Sequence, residues 1–142
     1  MVPVRDGLRP VEAQLKRYLS KVAERISLSS AVLFGSRARN DHWESSDIDL
    51  LVVSPAFAPM TRGTRIDLLL LDWEGIPSLE PFGFTPEEVC DPQGLLLWDA
   101  LDQGRVLVDD GTWRKARRQF QELIQSGALI ATSGGWLERL DV

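Results

Sequence analysis

A glycine–serine pair and two closely spaced aspartates are the residues of this sequence best suited to chemistry. Gly35-Ser36 is followed after ten residues by Asp47-Ile48-Asp49, at the head of an apolar run. Side chains at positions i and i+2 of a strand point to the same face, about 6.7 Å apart along the backbone. Two such carboxylates repel each other, and a divalent cation relieves that repulsion. Oxygen ligands suit Mg²⁺ better than zinc, which prefers histidine and thiolate ligands.

The turn before the aspartates is suited to binding phosphate. Gly35 permits a sharp turn at the end of a strand, and Ser36 opens a short helical turn. The unpaired N–H groups of such a turn can donate to phosphate oxygens. Arg37 is near enough in sequence to neutralise part of a triphosphate. A turn that binds phosphate next to two carboxylates that bind a metal ion predicts phosphoryl or nucleotidyl transfer.

A third carboxylate is expected from a neighbouring strand, because two-metal transfer needs a further ligand where the attacking hydroxyl arrives. The apolar run over residues 64–73 predicts a third strand, closed by a segment with glycine and proline. Asp67 lies early in this strand, where it can meet Asp47 and Asp49. Asp72 is five positions further on, an odd number, and so faces the opposite side. Asp67 is therefore the predicted third ligand.

Hydrophobic periodicity predicts the elements that position these residues. The expected fold is α+β, with a small mixed sheet flanked by helices and a helical C-terminal extension. The predicted elements are a helix over residues 10–28, strands over residues 30–34, 48–53 and 64–73, short helices after Thr85 and Asp91, an edge strand over residues 105–109, and a helix over residues 112–126.

Length, charge and cysteine content limit the number of domains and the kinds of partner that this protein can have. The 142 residues predict a single domain over residues 1–142, with the motif core at about 30–75 and the extension at about 77–142. Sixteen basic and twenty-one acidic residues give a net charge of −5, which weakens attraction to a long nucleic acid. The single cysteine, Cys90, excludes a disulfide framework. No apolar run approaches the roughly 20 residues of a membrane span, and the expected location is the cytoplasm.

The arrangement Gly35-Ser36-x10-Asp47-x-Asp49, with Ser46 before the first aspartate and Ile-Asp-Leu in the predicted third strand, resembles a known family. It is similar to the minimal nucleotidyltransferase (MNT) domains of the DNA polymerase β-like superfamily, over Phe34 to about Leu70. The resemblance implies that Mg²⁺, as two ions during turnover, is held by Asp47, Asp49 and Asp67. The predicted nucleotide-binding residues are Gly35, Ser36, Arg37 and Ser46.

The same resemblance implies a reaction and a partner. The reaction would transfer a nucleoside monophosphate, AMP from ATP, to an acceptor hydroxyl with release of pyrophosphate. Small members of the family often pair with a HEPN-type toxin, and some act as antitoxins by adenylylating it. Two alternatives stay open: a catalytically silent module that masks a partner protein, and a transferase acting on a small molecule such as an aminoglycoside. The apolar tail after Ala128 is expected either to cover the core or to join a second subunit in a homo-oligomer.

Overall fold

The computed structural model describes residues 6–133 and 135–139. Its helices are α1 (Glu12–Arg25), α2 (Ser36–Arg39), α3 (Arg62–Leu70), α4 (Pro86–Cys90), α5 (Leu95–Gln103) and α6 (Thr112–Gln125). Its strands are β1 (Ser30–Phe34), β2 (Ile48–Val53), β3 (Leu79–Phe84), β4 (Arg105–Asp109), β5 (Leu129–Thr132) and β6 (Gly135–Glu138). In this part of the chain no helix has both the length and the apolar character needed to cross a membrane.

The main sheet has four strands in the order β3-β2-β1-β4. Strand β1 is antiparallel to both β2 and β4, whereas β2 and β3 are parallel. Strands β5 and β6 form a separate antiparallel pair. The predicted α+β fold, a small mixed sheet flanked by helices, is confirmed.

Helices cover both faces of the sheet, which explains why its inner strands are almost continuously apolar. On one face of β2, Ile48, Leu50 and Val52 pack into a core that includes residues of α1. On the other face, Leu51 and Val53 pack into a second core with residues of α5 and α6. Asp49 points to this second face and interrupts its apolar lining, so the strand delivers a carboxylate to the end of a rigid, buried element.

The predicted third strand over residues 64–73 is wrong, because this segment is helical. The side chain of Thr61 caps α3 by accepting a hydrogen bond from the Thr64 amide. Arg65 and Leu69, four positions apart, are the buried residues of this helix. Leucine is a strong helix former, and the inward residues follow the helical period rather than the strand period.

The third strand of the sheet is β3, inside the segment predicted to be a helical extension. Pro81 and Gly83 lie in this strand, and because both residue types are unfavourable in strands, the sequence does not predict one here. Proline is tolerated there because β3 is an edge strand, with β2 as its neighbour in the sheet. The extension from residue 77 therefore contributes β3 and β4 to the main sheet, besides its helices.

The C-terminal segment packs against the helices as far as the structure describes it. Leu129 is buried in the second core, and the ring of Trp136 lies 5.5 Å from that of Phe120. The indole N–H of Trp136 donates to Asp99 Oδ1 at 2.8 Å. These contacts agree with a tail that covers the core, while residues 140–142 lie outside the described part.

Candidate active site

The turn at Gly35 brings the end of β1 against Asp49. Gly35 has φ +72°, in the left-handed region that favours glycine. A Cβ atom at Gly35 would lie 2.2 Å from Asp49 Oδ2. A larger residue would therefore be strained and would displace the carboxylate. The glycine and the second aspartate of the sequence motif are thus in direct contact.

Helix α2 begins immediately after this turn, with Ser36 as its first residue. The carbonyl oxygen of Gly35 accepts from the amides of Ala38 and Arg39 at 3.1 and 3.2 Å. The first amides of a helix, here those of Ser36 and Arg37, have no acceptor within the helix. They provide donors beside the Asp49 carboxylate that suit a phosphate oxygen.

Asp49 faces Glu80 across the parallel strands β2 and β3, where the two residues occupy paired positions. Burial, a hydrogen bond shared with Glu80, and the negative charges of Glu80 and Asp47 raise the pKa of Asp49 to about 7. The positive charge of Arg39 acts in the opposite direction. Asp47 itself is exposed, immediately before β2. The acidic group of this site therefore consists of Asp47, Asp49 and Glu80.

Asp67 does not lie on a strand beside the two aspartates, contrary to the sequence prediction. It is an exposed residue of α3. Glu80 occupies the position that was predicted for Asp67, because the third strand is β3 rather than residues 64–73. Glu80 is the second residue of β3, as Asp49 is of β2, and the parallel register of the two strands brings them side by side.

Arg37 is turned away from the surface and holds the loop before β2. Its side chain is only 2% exposed. The guanidinium donates to the carbonyl oxygens of Ser46, at 3.0 and 3.2 Å, and of Glu44, at 3.1 Å. It also donates to Gly7 O at 3.2 Å. These backbone contacts fix the segment from which Asp47 projects, whereas the sequence predicted a contact of Arg37 with the nucleotide.

Ser46 also has a local role in this structure. Its hydroxyl accepts a hydrogen bond from the Trp43 amide at 2.7 Å, and its own amide donates to Trp43 O at 3.0 Å. These bonds close the turn that precedes Asp47. The cation whose charge reaches Asp49 is instead that of Arg39, which is exposed and paired with Asp41 at 3.1 Å.

The carboxylates suit a divalent cation, although they do not form a closed cage. Over residues 6–133 and 135–139, no three His, Cys, Asp or Glu side chains converge closely enough to enclose a metal ion. Asp49 and Glu80 nevertheless share a hydrogen bond, and burial together with the charge of Glu80 raises the pKa of Asp49. A hard cation with oxygen ligands, such as Mg²⁺, would neutralise this charge. The residues that would hold it are Asp49, Glu80 and Asp47.

The raised pKa predicts an inverse dependence of stability on pH when divalent cations are removed. Asp49 binds its proton more tightly in the folded state, with a pKa of about 7, than at its ordinary value of 3.8. This stabilisation is complete below the ordinary pKa and is lost as pH rises through the folded-state pKa. Melting temperatures measured in chelator from pH 5 to 8 should fall in wild type and fall less in Asp49→Asn. Asp67→Asn should keep the wild-type slope, and parallel curves for wild type and Asp49→Asn would contradict the prediction.

Comparison with known proteins agrees with this geometry. The sequence profile of the family described as nucleotidyltransferase domain matches residues 15–83. This match ends within β3 and includes the glycine turn, both aspartates and Glu80. No protein of curated function matches the sequence.

Solved structures share the fold at low sequence identity. A candidate nucleotidyltransferase from Sulfolobus solfataricus superimposes with a TM-score of 0.57 at 20% identity, covering 73% of this chain and 85% of the other. A toxin–antitoxin structure with AMP-PNP gives 0.54 at 16% identity, covering 78% and 87%. A toxin–antitoxin structure, MntA–HpeT with two aspartates replaced by glutamate, gives 0.50 at 17% identity, covering 78% and 86%. The predicted resemblance and the predicted enzyme class, a nucleotidyltransferase, are confirmed by the family match and the fold.

Proposed function

We propose that this nucleotidyltransferase transfers a nucleoside monophosphate from a triphosphate, with ATP as the preferred donor, to an acceptor hydroxyl. The contact between the Gly35 turn and Asp49, with Glu80 on the next strand, carries the proposal. It puts amide donors for phosphate oxygens beside acidic oxygens for Mg²⁺. Transfer of this kind depends mainly on positioning and charge stabilisation, which such an arrangement supplies.

Each group at the site has a role in this reaction. The amides of Ser36 and Arg37 would orient the phosphates of the donor, and Arg39 would add positive charge beside them. Glu80 would accept the proton of the acceptor hydroxyl. Bound Mg²⁺, held by the acidic group, would neutralise phosphate charge and favour in-line displacement.

Two of the structural relatives support the donor and the aspartate pair. One was crystallised with AMP-PNP, an analogue of ATP. Another carries glutamate in place of two aspartates that are two positions apart, the separation of Asp47 and Asp49 here. Because both relatives are toxin–antitoxin structures, we also propose a toxin protein of the HEPN type as the partner and acceptor of this chain.

Labelled ATP tests the proposed reaction. With Mg²⁺ and the product of the adjacent gene as the candidate acceptor, label at the α-phosphate should become attached to the acceptor, whereas label at the γ-phosphate should leave as pyrophosphate. A chelator should abolish labelling, since the carboxylates would lose their cation. Transfer of the γ label would identify a kinase instead. Tight masking of the toxin without any labelling would favour the catalytically silent binding module.

A further inference from the structure

Strand β3 carries Glu80 but is an edge strand of the main sheet, so β2 supports it from one side. The amide of Ile48 donates to Ser78 O at 2.8 Å, just before β3 begins. The amide of Ser54 donates to Phe84 O at 3.0 Å, where β3 ends. Successive carbonyl groups of a strand alternate in direction, so the carbonyl before that of Phe84 points away from β2. The position of Glu80 therefore depends also on what holds β3 on this open side.

Arg65 of α3 binds the open side of β3. The Arg65 side chain is 8% exposed, so its guanidinium is buried. Nη1 donates to Gly83 O at 3.1 Å and to Glu88 Oε1 at 2.7 Å. Nε donates to Met60 O at 3.1 Å. One guanidinium thus joins the end of β3 to α4 and to the segment that precedes α3.

The carboxylate of Glu88 is itself fixed by the start of α4. Its Oε1 also accepts from the Thr85 amide at 2.7 Å, and the Glu88 amide donates to Thr85 Oγ1 at 3.2 Å. This reciprocal pair is a capping box. Because Thr85 directly follows the last residue of β3, the network from Arg65 anchors the strand at two nearby points, Gly83 and Thr85.

The close approach of α3 to β3 requires a glycine at position 83. A Cβ atom on Gly83 would lie 2.9 Å from Phe57 Cε2 and 3.1 Å from Arg65 Cβ, closer than an ordinary contact. Gly83 and Glu80 are three positions apart, an odd number, so they face opposite sides of the strand. Helix α3 therefore supports β3 from the face opposite to that of the Glu80 carboxylate.

This support acts against a repulsion at the acidic site. Asp49 and Glu80 occupy paired positions on β2 and β3, and they are close enough to share a hydrogen bond. Two charged carboxylates at such a distance repel each other. Strand β2 is buried between two neighbours, so β3 at the edge is the strand that would move. A cation that binds both carboxylates needs them close together at the same time.

We infer that Arg65 is a positioning residue, which ties β3 to α3 and Glu88 and so holds Glu80 beside Asp49 to share a divalent cation. The inference rests on the proposed function, in which these carboxylates hold Mg²⁺. Residues that orient metal ligands typically account for about 10–100-fold in metal affinity or activity. Arg65 makes no contact with the substrates in this arrangement and acts through the strand that carries Glu80.

Mn²⁺ binding tests the inference without catalysis. The whole protein is titrated with Mn²⁺, without nucleotide, and free Mn²⁺ is measured by electron paramagnetic resonance at a temperature where each variant is folded. Arg65→Met removes the hydrogen bonds but keeps an apolar side chain, and it should weaken Mn²⁺ binding about 10–100-fold. Leu69→Ala is the matched control, because Leu69 is fully buried in the same helix. It should lower the melting temperature and leave Mn²⁺ affinity unchanged. Equal Mn²⁺ affinities in the two variants would overturn the inference.

Arg65→Lys keeps the test decisive if Arg65→Met does not fold. Lysine retains a positive charge beside Glu88 but lacks the planar fork that joins Gly83, Glu88 and Met60. This variant should keep more of the stability than Arg65→Met and should still bind Mn²⁺ more weakly than wild type. Wild-type Mn²⁺ affinity in Arg65→Lys would overturn the inference.

Nucleotidyl transfer separates this inference from the proposed function. In Arg65→Met, kcat should fall about 10–100-fold while the KM for ATP stays near wild type, because the Gly35 turn is unchanged. If wild type transfers nucleotide and Arg65→Met does so as fast as Leu69→Ala, the inference is wrong and the proposed function stands. If wild type transfers nucleotide to no acceptor, yet Arg65→Met binds Mn²⁺ more weakly than Leu69→Ala, the proposed function fails and the positioning role stands.

Discussion

Replacing Glu80 with glutamine should lower the rate of nucleotidyl transfer by about 10²–10⁴-fold, the usual contribution of a positioned acid or base. Glu80 faces Asp49 from the neighbouring strand and is close enough to share a hydrogen bond with it. Glutamine has nearly the same shape but can neither accept the hydroxyl proton nor offer a negatively charged oxygen. The loss should therefore appear mainly in kcat, with the affinity for ATP less affected.

Asp67→Asn is the matched control for this experiment. Asp67 lies on α3 and is not among the groups whose charge or hydrogen bonds act on Asp49, so its carboxylate should contribute nothing to transfer. Single-turnover rates with α-labelled ATP, measured for wild type and both variants, separate the two residues. A large loss in Asp67→Asn together with normal activity in Glu80→Gln would restore the sequence prediction and would mean that α3 rearranges to bring its carboxylate to the site.

The part of the site formed by the Gly35 turn and Asp49 could be predicted from the sequence, because the strands that carry it are short continuous segments buried on both faces. Strand β1 is an apolar run that ends before a glycine, and strand β2 is an apolar run that begins at the aspartate motif. Their predicted bounds, residues 30–34 and 48–53, are those of the structure. Antiparallel pairing of the two strands then brings Gly35 against Asp49. Helices α1 and α2 and the turn at Gly35 are likewise determined by residues that are close together in the sequence.

The third strand could not be read in this way because its sequence conflicts with its neighbours' pattern. Pro81 and Gly83 argue against a strand, and only the position of β3 at the edge makes the proline acceptable. The leucine-rich segment of α3 satisfies a strand pattern over short windows as well as a helical one. Whether residues 64–73 or β3 forms the third strand depends on which of them pairs in parallel with β2. A long connection separates β3 from β2, so local periodicity does not reveal this pairing.

The sequence prediction chose Arg37 of α2 for the nucleotide, and helix geometry shows why the choice between Arg37 and Arg39 matters. Residues two positions apart on a helix point about 200° apart, so only one of Arg37 and Arg39 can face the site. The sequence offers no clue to which one faces inward. In the structure Arg37 is buried beneath the loop, and the charge of Arg39 acts on Asp49.

Replacing Arg37 with methionine should therefore lower the free energy of unfolding by about 2–4 kcal/mol, because buried hydrogen bonds from a charged group are lost. Carbonyl oxygens of Gly7, Glu44 and Ser46 would lose their donor, and the loop before Asp47 would loosen. Arg39→Met, at an exposed position, should change stability by less than about 0.5 kcal/mol while weakening ATP binding. Urea unfolding and ATP titration of both variants measure these effects. Normal stability with a selective loss of ATP affinity in Arg37→Met would show that Arg37, as the sequence predicted, binds the nucleotide.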